Sequence, residues 1–214
     1  MYDTGDIPNR LETSIVVPIP KKGDLKDPDN YRRISLIPTL AKIMATKLSI
    51  IDAQYQILVK EQAGFLNFEE CAGQATTLYE IVCRRKIENK ETWLCYIDYS
   101  KAYDRVPQMA LMHKLQSVEI GGKLLNMIKG MYDAPKIAIR VVNDVSNPAE
   151  YLFRVRQRCP ASPILFDFYT NDIFKSVRGV RVPGPTSRIP GLLFADDAVL
   201  LAESSADLNT ALKP

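Results

Sequence analysis

The chain has 214 residues, with 28 Lys+Arg against 25 Asp+Glu for a formal charge of +3, and 46% of it is hydrophobic. That apolar content excludes wholesale disorder, and a chain of this size buries roughly 70% of its unfolded surface, so one or two domains with an unstapled core are expected. A charge so close to balance permits a nucleic-acid partner but argues for none without a local patch. Four scattered cysteines (Cys71, Cys83, Cys95, Cys159) and a single histidine, His113, speak against a structural zinc site. The charged N-terminus MYDTGDIPNR has no signal-peptide stretch, which favours free thiols in a reducing compartment over two disulfides. No apolar run approaches the roughly 20 residues of a membrane span.

In chain order, residues 14–19 (SIVVPI) read as a buried strand running into a basic turn at Lys21 and Lys22. From Ser35 the spacing of Leu36, Leu40, Ile43, Leu48 and Ile51 predicts a helix with Ser35 as N-cap. A second helix is expected over 74–85. Its basic end, Arg84, Arg85 and Lys86, reads as a helix C-terminus favoured by the macrodipole. WLCYID, residues 93–98, suits a buried strand ending on an acid. Helices follow over 108–116 and 122–132, then a strand over 137–142, a turn over 143–148 and a hairpin partner over 151–155. Residues 162–177 predict a long apolar helix, 183–190 a Pro/Gly-rich loop, and LLFADDAVLL (192–201) a tight hairpin with Asp196 and Asp197 at its tip. Strands and helices mix without strict alternation, which favours an α+β fold.

The chemistry-bearing residues are three carboxylates on strand ends: Asp98, Asp196 and Asp197. An Asp-Asp pair in a turn is often only a solvated tip. Here Leu192, Leu193 and Phe194 precede the pair and Ala198, Val199, Leu200 and Leu201 follow it. Acids embedded in core strands call for cations. Carboxylate oxygens suit hard divalent ions, and two such ions about 3.5–4 Å apart can activate a hydroxyl and stabilise a leaving pyrophosphate.

IDYSKAYDRVP (97–107), RQRCPASPILFDFYTNDIF (156–174) and LLFADDAVLL resemble, in order and spacing, three palm motifs of reverse transcriptases from non-LTR (LINE-type) retrotransposons. VPIPKKGDLKDPDNYRRISL (17–36) resembles the fingers segment of that family, and EQAGF (61–65) its next motif, so the resemblance covers nearly the whole chain. It fits the polymerase of a mobile intron less well. The resemblance implies the fingers and palm of a right-hand polymerase, the palm an antiparallel sheet backed by helices. Fingers would comprise 1–92 and 108–150, palm 93–107 and 151–214, in one truncated domain without its thumb; Met1 reads as an internal methionine. It implies RNA-directed DNA synthesis on an RNA template and DNA primer from deoxynucleoside triphosphates, with two Mg²⁺ (or Mn²⁺) ions held by the catalytic Asp98, Asp196 and Asp197. Neither an organic cofactor nor a membrane is implied, and the parent element would act in the nucleus.

For the nucleotide, Lys21, Lys22 and Arg32 match basic fingers positions that grip the triphosphate, the lysines having a solvated turn as the other reading. Tyr103 matches an aromatic gate against the ribose 2′-hydroxyl, with core packing as the alternative. Gln157 matches a pocket residue near the sugar. The chain departs from the family pattern at Arg158, where glycine is usual, at Leu66, where a cation is usual, and at Arg33, where proline is usual. These departures, with the missing thumb, leave a second reading: an inactive retroelement remnant that binds nucleic acid weakly.

Overall fold

A computed structural model describes residues 13–36, 39–66, 68–100, 102–132, 136–150, 161–185 and 187–213, without the side chains of 29, 33, 40, 41, 44 and 104. The chain forms two compact units, Met1–Ile57 with Tyr103–Tyr169, and Leu58–Ala102 with Thr170–Pro214.

In the first unit, β1 (Thr13–Pro20) pairs antiparallel with β2 (Tyr31–Leu36). It also pairs in parallel with β4 (Lys136–Val141), which carries the short β5 (Asp144–Val145) and β6 (Ala149–Glu150). The expected β1 is present but only half-buried: Ser14 and Val16 face the core. Ser35 is no helix cap. It lies in β2 opposite Val16, because the unpaired edge of β1 recruits the alternating Tyr31-to-Leu36 run ahead of its helical periodicity. Helix α1 begins only at Thr39 (Thr39–Tyr55), one residue after Pro38, a residue type that disfavours helix at the position before it. The 143–148 turn is also tighter than expected. β4 and β5 are joined by Val142 and Asn143, Val142 taking a positive φ of 55°. The expected partner strand 151–155 lies outside the described residues.

Helices α3 (Gln108–Ser117) and α4 (Gly122–Tyr132) match their periodicity within a residue and pack on each other. They bury Leu111, Met112 and Leu115 against Leu124, Leu125, Met127, Ile128 and Tyr132 on the facing stripe. Helix α5 (Ser162–Thr170) is shorter than the 162–177 run predicts. Beyond it the chain continues in tighter i to i−3 bonds, Ile173 N donating to Thr170 O at 3.0 Å and Val177 N to Phe174 O at 3.0 Å. At this end Asn171 Oδ1 accepts from Val59 N at 2.8 Å.

The second unit holds helix α2 (Cys71–Ile87) and a three-stranded antiparallel sheet of β3 (Trp93–Asp98), β8 (Asp197–Ala202) and β7 (Gly191–Phe194), in the order β3-β8-β7. A short helix α6 (Ser205–Ala211) follows, capped by Ser204 Oγ accepting from Asp207 N at 3.1 Å. β3 has the expected bounds but is an edge strand, so Trp93 and Tyr96 are exposed rather than buried. Side chains alternate between two clusters. Ile81, Val180, Val182, Leu192, Val199 and Leu201 form one, and Phe174, Leu193, Ala198 and Leu200 the other.

Arg84, Arg85 and Lys86 occupy the last turn of α2, as the macrodipole reading expects, and Arg85, at 1% exposure, has a buried role besides. Its guanidinium donates to Thr92 Oγ1 (2.9 Å), Arg181 O (2.6 Å), Glu91 O (2.6 Å) and Glu203 Oε1 (3.1 Å). Glu203 is shared with Arg188. Burial alone would raise the Glu203 carboxyl, but hydrogen bonds from Arg188, the Arg181 amide and Arg85 outweigh it and hold the group at about 2. Among the described residues Cys71, Cys83 and Cys95 are free thiols, and no helix is long and apolar enough to cross a membrane.

Asp167, fully buried on α5, is raised to about 8, by desolvation first and the nearby Asp52 charge second. A folded pKa above the unfolded one makes the folded state bind the extra proton, so the contribution of Asp167 to stability is fully present below the ordinary carboxylate range and is lost as pH rises toward 8. At about 1.4 kcal/mol per pH unit the loss is on the order of several kcal/mol. Asp167→Asn is expected to flatten this slope and to raise stability at pH 8. Urea unfolding across pH 4 to 8 checks it, and equal slopes for both proteins would contradict the assignment.

Candidate functional site

The site is built on the register of β3 and β8, which sets Asp98 directly opposite Asp197, while β7 sets Phe194 opposite Asp197 on the other side. Side chains in one such row share a face of the sheet, their Cβ atoms about 5 Å apart. Asp98 and Asp197 are exposed and Asp196 is half-buried. Asp197 is thus the first residue of β8, one place inside the hairpin from the tip its sequence suggests; Ala195 and Asp196 make the turn. Ala195 takes a φ of 59°, the left-handed backbone of hairpin turns whose twist matches that of their strands.

Behind this turn the Glu61-to-Gly64 stretch runs along β7. Leu193 N donates to Glu61 O at 2.8 Å, and Ala63 N to Leu193 O at 3.0 Å, around a parallel bridge of Gln62 with Leu193. The side-chain oxygen of Gln62 accepts from Gly64 N (2.7 Å) and from Ala195 N (3.2 Å). Gln74, in the first turn of α2, donates to Glu61 O (3.0 Å) and Leu193 O (3.1 Å). A Cβ at Gly64 would stand 2.6 Å from Ala195 Cα, so only glycine lets the two backbones touch. The motif EQAGF therefore serves here as a brace for the acidic turn. The sequence marks it as a motif without revealing this task, and nothing local singles out Gln74.

Among the described residues the three carboxylates make no ion pair with a basic side chain, so like charges face one another across β3 and β8. That arrangement opposes folding unless a cation intervenes. An all-oxygen acidic donor set fits a hard divalent ion. As the side chains stand, no group of three or more His, Cys, Asp or Glu residues is gathered closely enough to hold a metal among the described residues. The pair is preset by register, and the third acid stands beside it in the turn.

The expected nucleotide-binding residues belong to the other unit. Lys21 and Lys22 stand exposed where β1 enters its loop, and Arg32 stands exposed on β2 opposite Ile19. The loop is held by Lys21 N to Asn30 O at 2.7 Å, Lys26 N to Asp24 Oδ1 at 2.9 Å, Asn30 Nδ2 to Asp24 O at 2.9 Å and Tyr31 OH to Leu25 O at 2.9 Å. Tyr103 sits on a 3-10 turn (Ala102–Arg105), its ring centroid 4.8 Å from that of Phe166 at 37°. Gln157 and Arg158 lie outside the described residues.

Comparison with known proteins gives one consistent picture. Residues 19–214 match the family profile described as reverse transcriptase (RNA-dependent DNA polymerase). Similar curated proteins include a transposon TX1 149 kDa protein of Xenopus laevis, 24% identical over 98% of this chain and 16% of its own length. Another is a Pol polyprotein of the type-1 retrotransposable element R2 of Popillia japonica, 28% identical over 97% of this chain and 30% of its own length. The chain thus spans under a third of the relatives it matches. Among solved structures, telomerase from Candida albicans, in a complex with a fragment of telomeric RNA, superimposes with a TM-score of 0.62 at 12% identity. That match covers 98% of this chain and 40% of the telomerase chain. At this identity the likeness shows a shared fold, mixed α and β with a sheet backed by helices.

Removing one of the opposed charges should stabilise the unliganded protein. Asp197→Asn is expected to gain about 0.5 kcal/mol in EDTA and to lose the stabilisation that added Mg²⁺ gives the wild type. Thermal melts with and without the ion check both halves, and a variant that melts lower in EDTA would contradict the repulsion.

Proposed function

Because the chain belongs to the reverse transcriptase family, we propose that it is the fingers-and-palm part of a non-LTR retrotransposon polymerase that adds deoxynucleotides to a primer 3′-hydroxyl on an RNA template. The opposed Asp98 and Asp197, with Asp196 in the adjoining turn, carry this reading. Asp98, Asp196 and Asp197 would hold Mg²⁺, and the ions when bound supply the charge that activates the hydroxyl and stabilises the leaving pyrophosphate. Strand pairing holds the backbone of Asp98 and Asp197, and the hairpin turn that of Asp196, which supports this reading. Lys21 and Lys22 contribute point charges and Arg32 a planar fork to the triphosphate. Tyr103, steadied by Phe166, would exclude a ribose 2′-hydroxyl, and Gln157 would line the sugar pocket. The parent element would act in the nucleus.

Arg158 and Leu66 favour a second reading, an inactive remnant of the same fold, since a cationic side chain replaces glycine at the nucleotide pocket and a triphosphate contact is lost. Single-nucleotide extension of a DNA primer on RNA with Mg²⁺ separates the two. Asp196→Asn is expected to abolish extension with little loss of stability, and retained activity would sink the site assignment. Arg158→Gly is expected to raise extension by tightening nucleotide binding; an unchanged apparent nucleotide affinity would count against the blocked pocket. Silence from all three proteins favours the remnant.

A further inference from the structure

We infer that Gln62 is a positioning residue for the acidic hairpin, acting through the Ala195 amide; the inference rests on the reading of Asp98, Asp196 and Asp197 as the metal-holding acids. A two-residue hairpin turn leaves the first turn N–H outside the strand ladder, and Ala195 is buried, so that N–H needs a partner. Gln62 Oε1 supplies it at 3.2 Å while also accepting from Gly64 N at 2.7 Å. One carbonyl oxygen thus ties the residue before Asp196 to the brace that runs along β7.

Three features make the tie a positioning one. Gln62 is 2% exposed, and its Nε2 has no hydrogen-bond partner among the described residues, so the amide is retained there despite an orphaned donor that costs roughly 1–3 kcal/mol. Its useful atom is the acceptor. The brace is itself fixed at both ends, by Gln74 donating to Glu61 O and Leu193 O and by Gly64 lying against the Ala195 backbone. Finally, Asp196 is the only one of the three acids outside the strand ladder, so register sets Asp98 and Asp197 while the turn must be set by something else. Gln62 is the side chain that does this.

The test is Mn²⁺ titration of the full chain followed by EPR, alongside thermal melts. Gln62→Met removes the acceptor at similar volume and is expected to weaken Mn²⁺ binding about 10-fold, the scale of residues that orient metal ligands. Gln62→Glu keeps an acceptor oxygen and is expected to stay within about threefold on the same scale. Arg85→Met breaks the ion network at the other end of β8 and is expected to lower the melting temperature without changing Mn²⁺ affinity. Should Gln62→Met fail to fold, Gln62→Asn, one methylene too short to reach Ala195, is expected to show the same loss. Wild-type affinity in the Met or Asn variant would overturn the inference, as would equal weakening by Glu and Met. Undiminished Mn²⁺ binding by Asp196→Asn would instead overturn the reading of the site beneath it.

Discussion

The pairing register of β3 with β8 is the constraint on which the rest of the second unit depends. Side chains in a strand alternate with a period of two, so a slip of one residue would send Asp98 to the opposite face from Asp197 and take Leu94 away from the cluster that holds Leu201 and Val199. Register is therefore specified by apolar burial over most of the sheet and opposed by repulsion at its acidic end. The cores on both faces, one against α2 and one against Phe174, hold together what the carboxylates oppose.

The ion cluster and the candidate site occupy opposite ends of the same strand. Beyond the last residue of β8, Glu203 gathers Arg85 and Arg188 into a cluster in which its carboxylate faces two guanidinium groups and the Arg181 amide. At the start of β8 the acids have no such compensation among the described residues. A buried ion pair broken on one side typically costs about 3–5 kcal/mol, so the Arg85 cluster is a firm anchor for a strand whose other end is electrostatically disfavoured. Gln62, Gly64 and Gln74 then supply the one restraint that register cannot, on the turn itself.

Much of this was legible in the sequence. The bounds of β3 coincide with the WLCYID run, and α3 and α4 follow their periodicity, because each is a strongly patterned segment whose neighbours do not compete for it. Where tertiary pairing competes with local pattern the reading failed: Ser35 went into β2. Edge position, which decides that Tyr96 is exposed, is a property of strand order and has no local signature. The acids could be found from their core flanks, whereas the bond from Gln62 to Ala195 spans 133 residues and no spacing rule reaches that far. The burial of Arg85 had no signal for the same reason, its partners Arg181 and Glu203 lying far along the chain.

The central claim, that strand register assembles a two-ion polymerase site, is tested most directly by counting Mn²⁺ ions. EPR on the chain with an RNA template, a 3′-deoxy primer and the matching deoxynucleoside triphosphate should find two ions per chain, in the coupled pair typical of about 4 Å separation, and Asp98→Asn should abolish the coupling. A wild-type complex that binds no Mn²⁺ above the nucleotide alone, or a coupled pair that survives Asp98→Asn, would contradict the account.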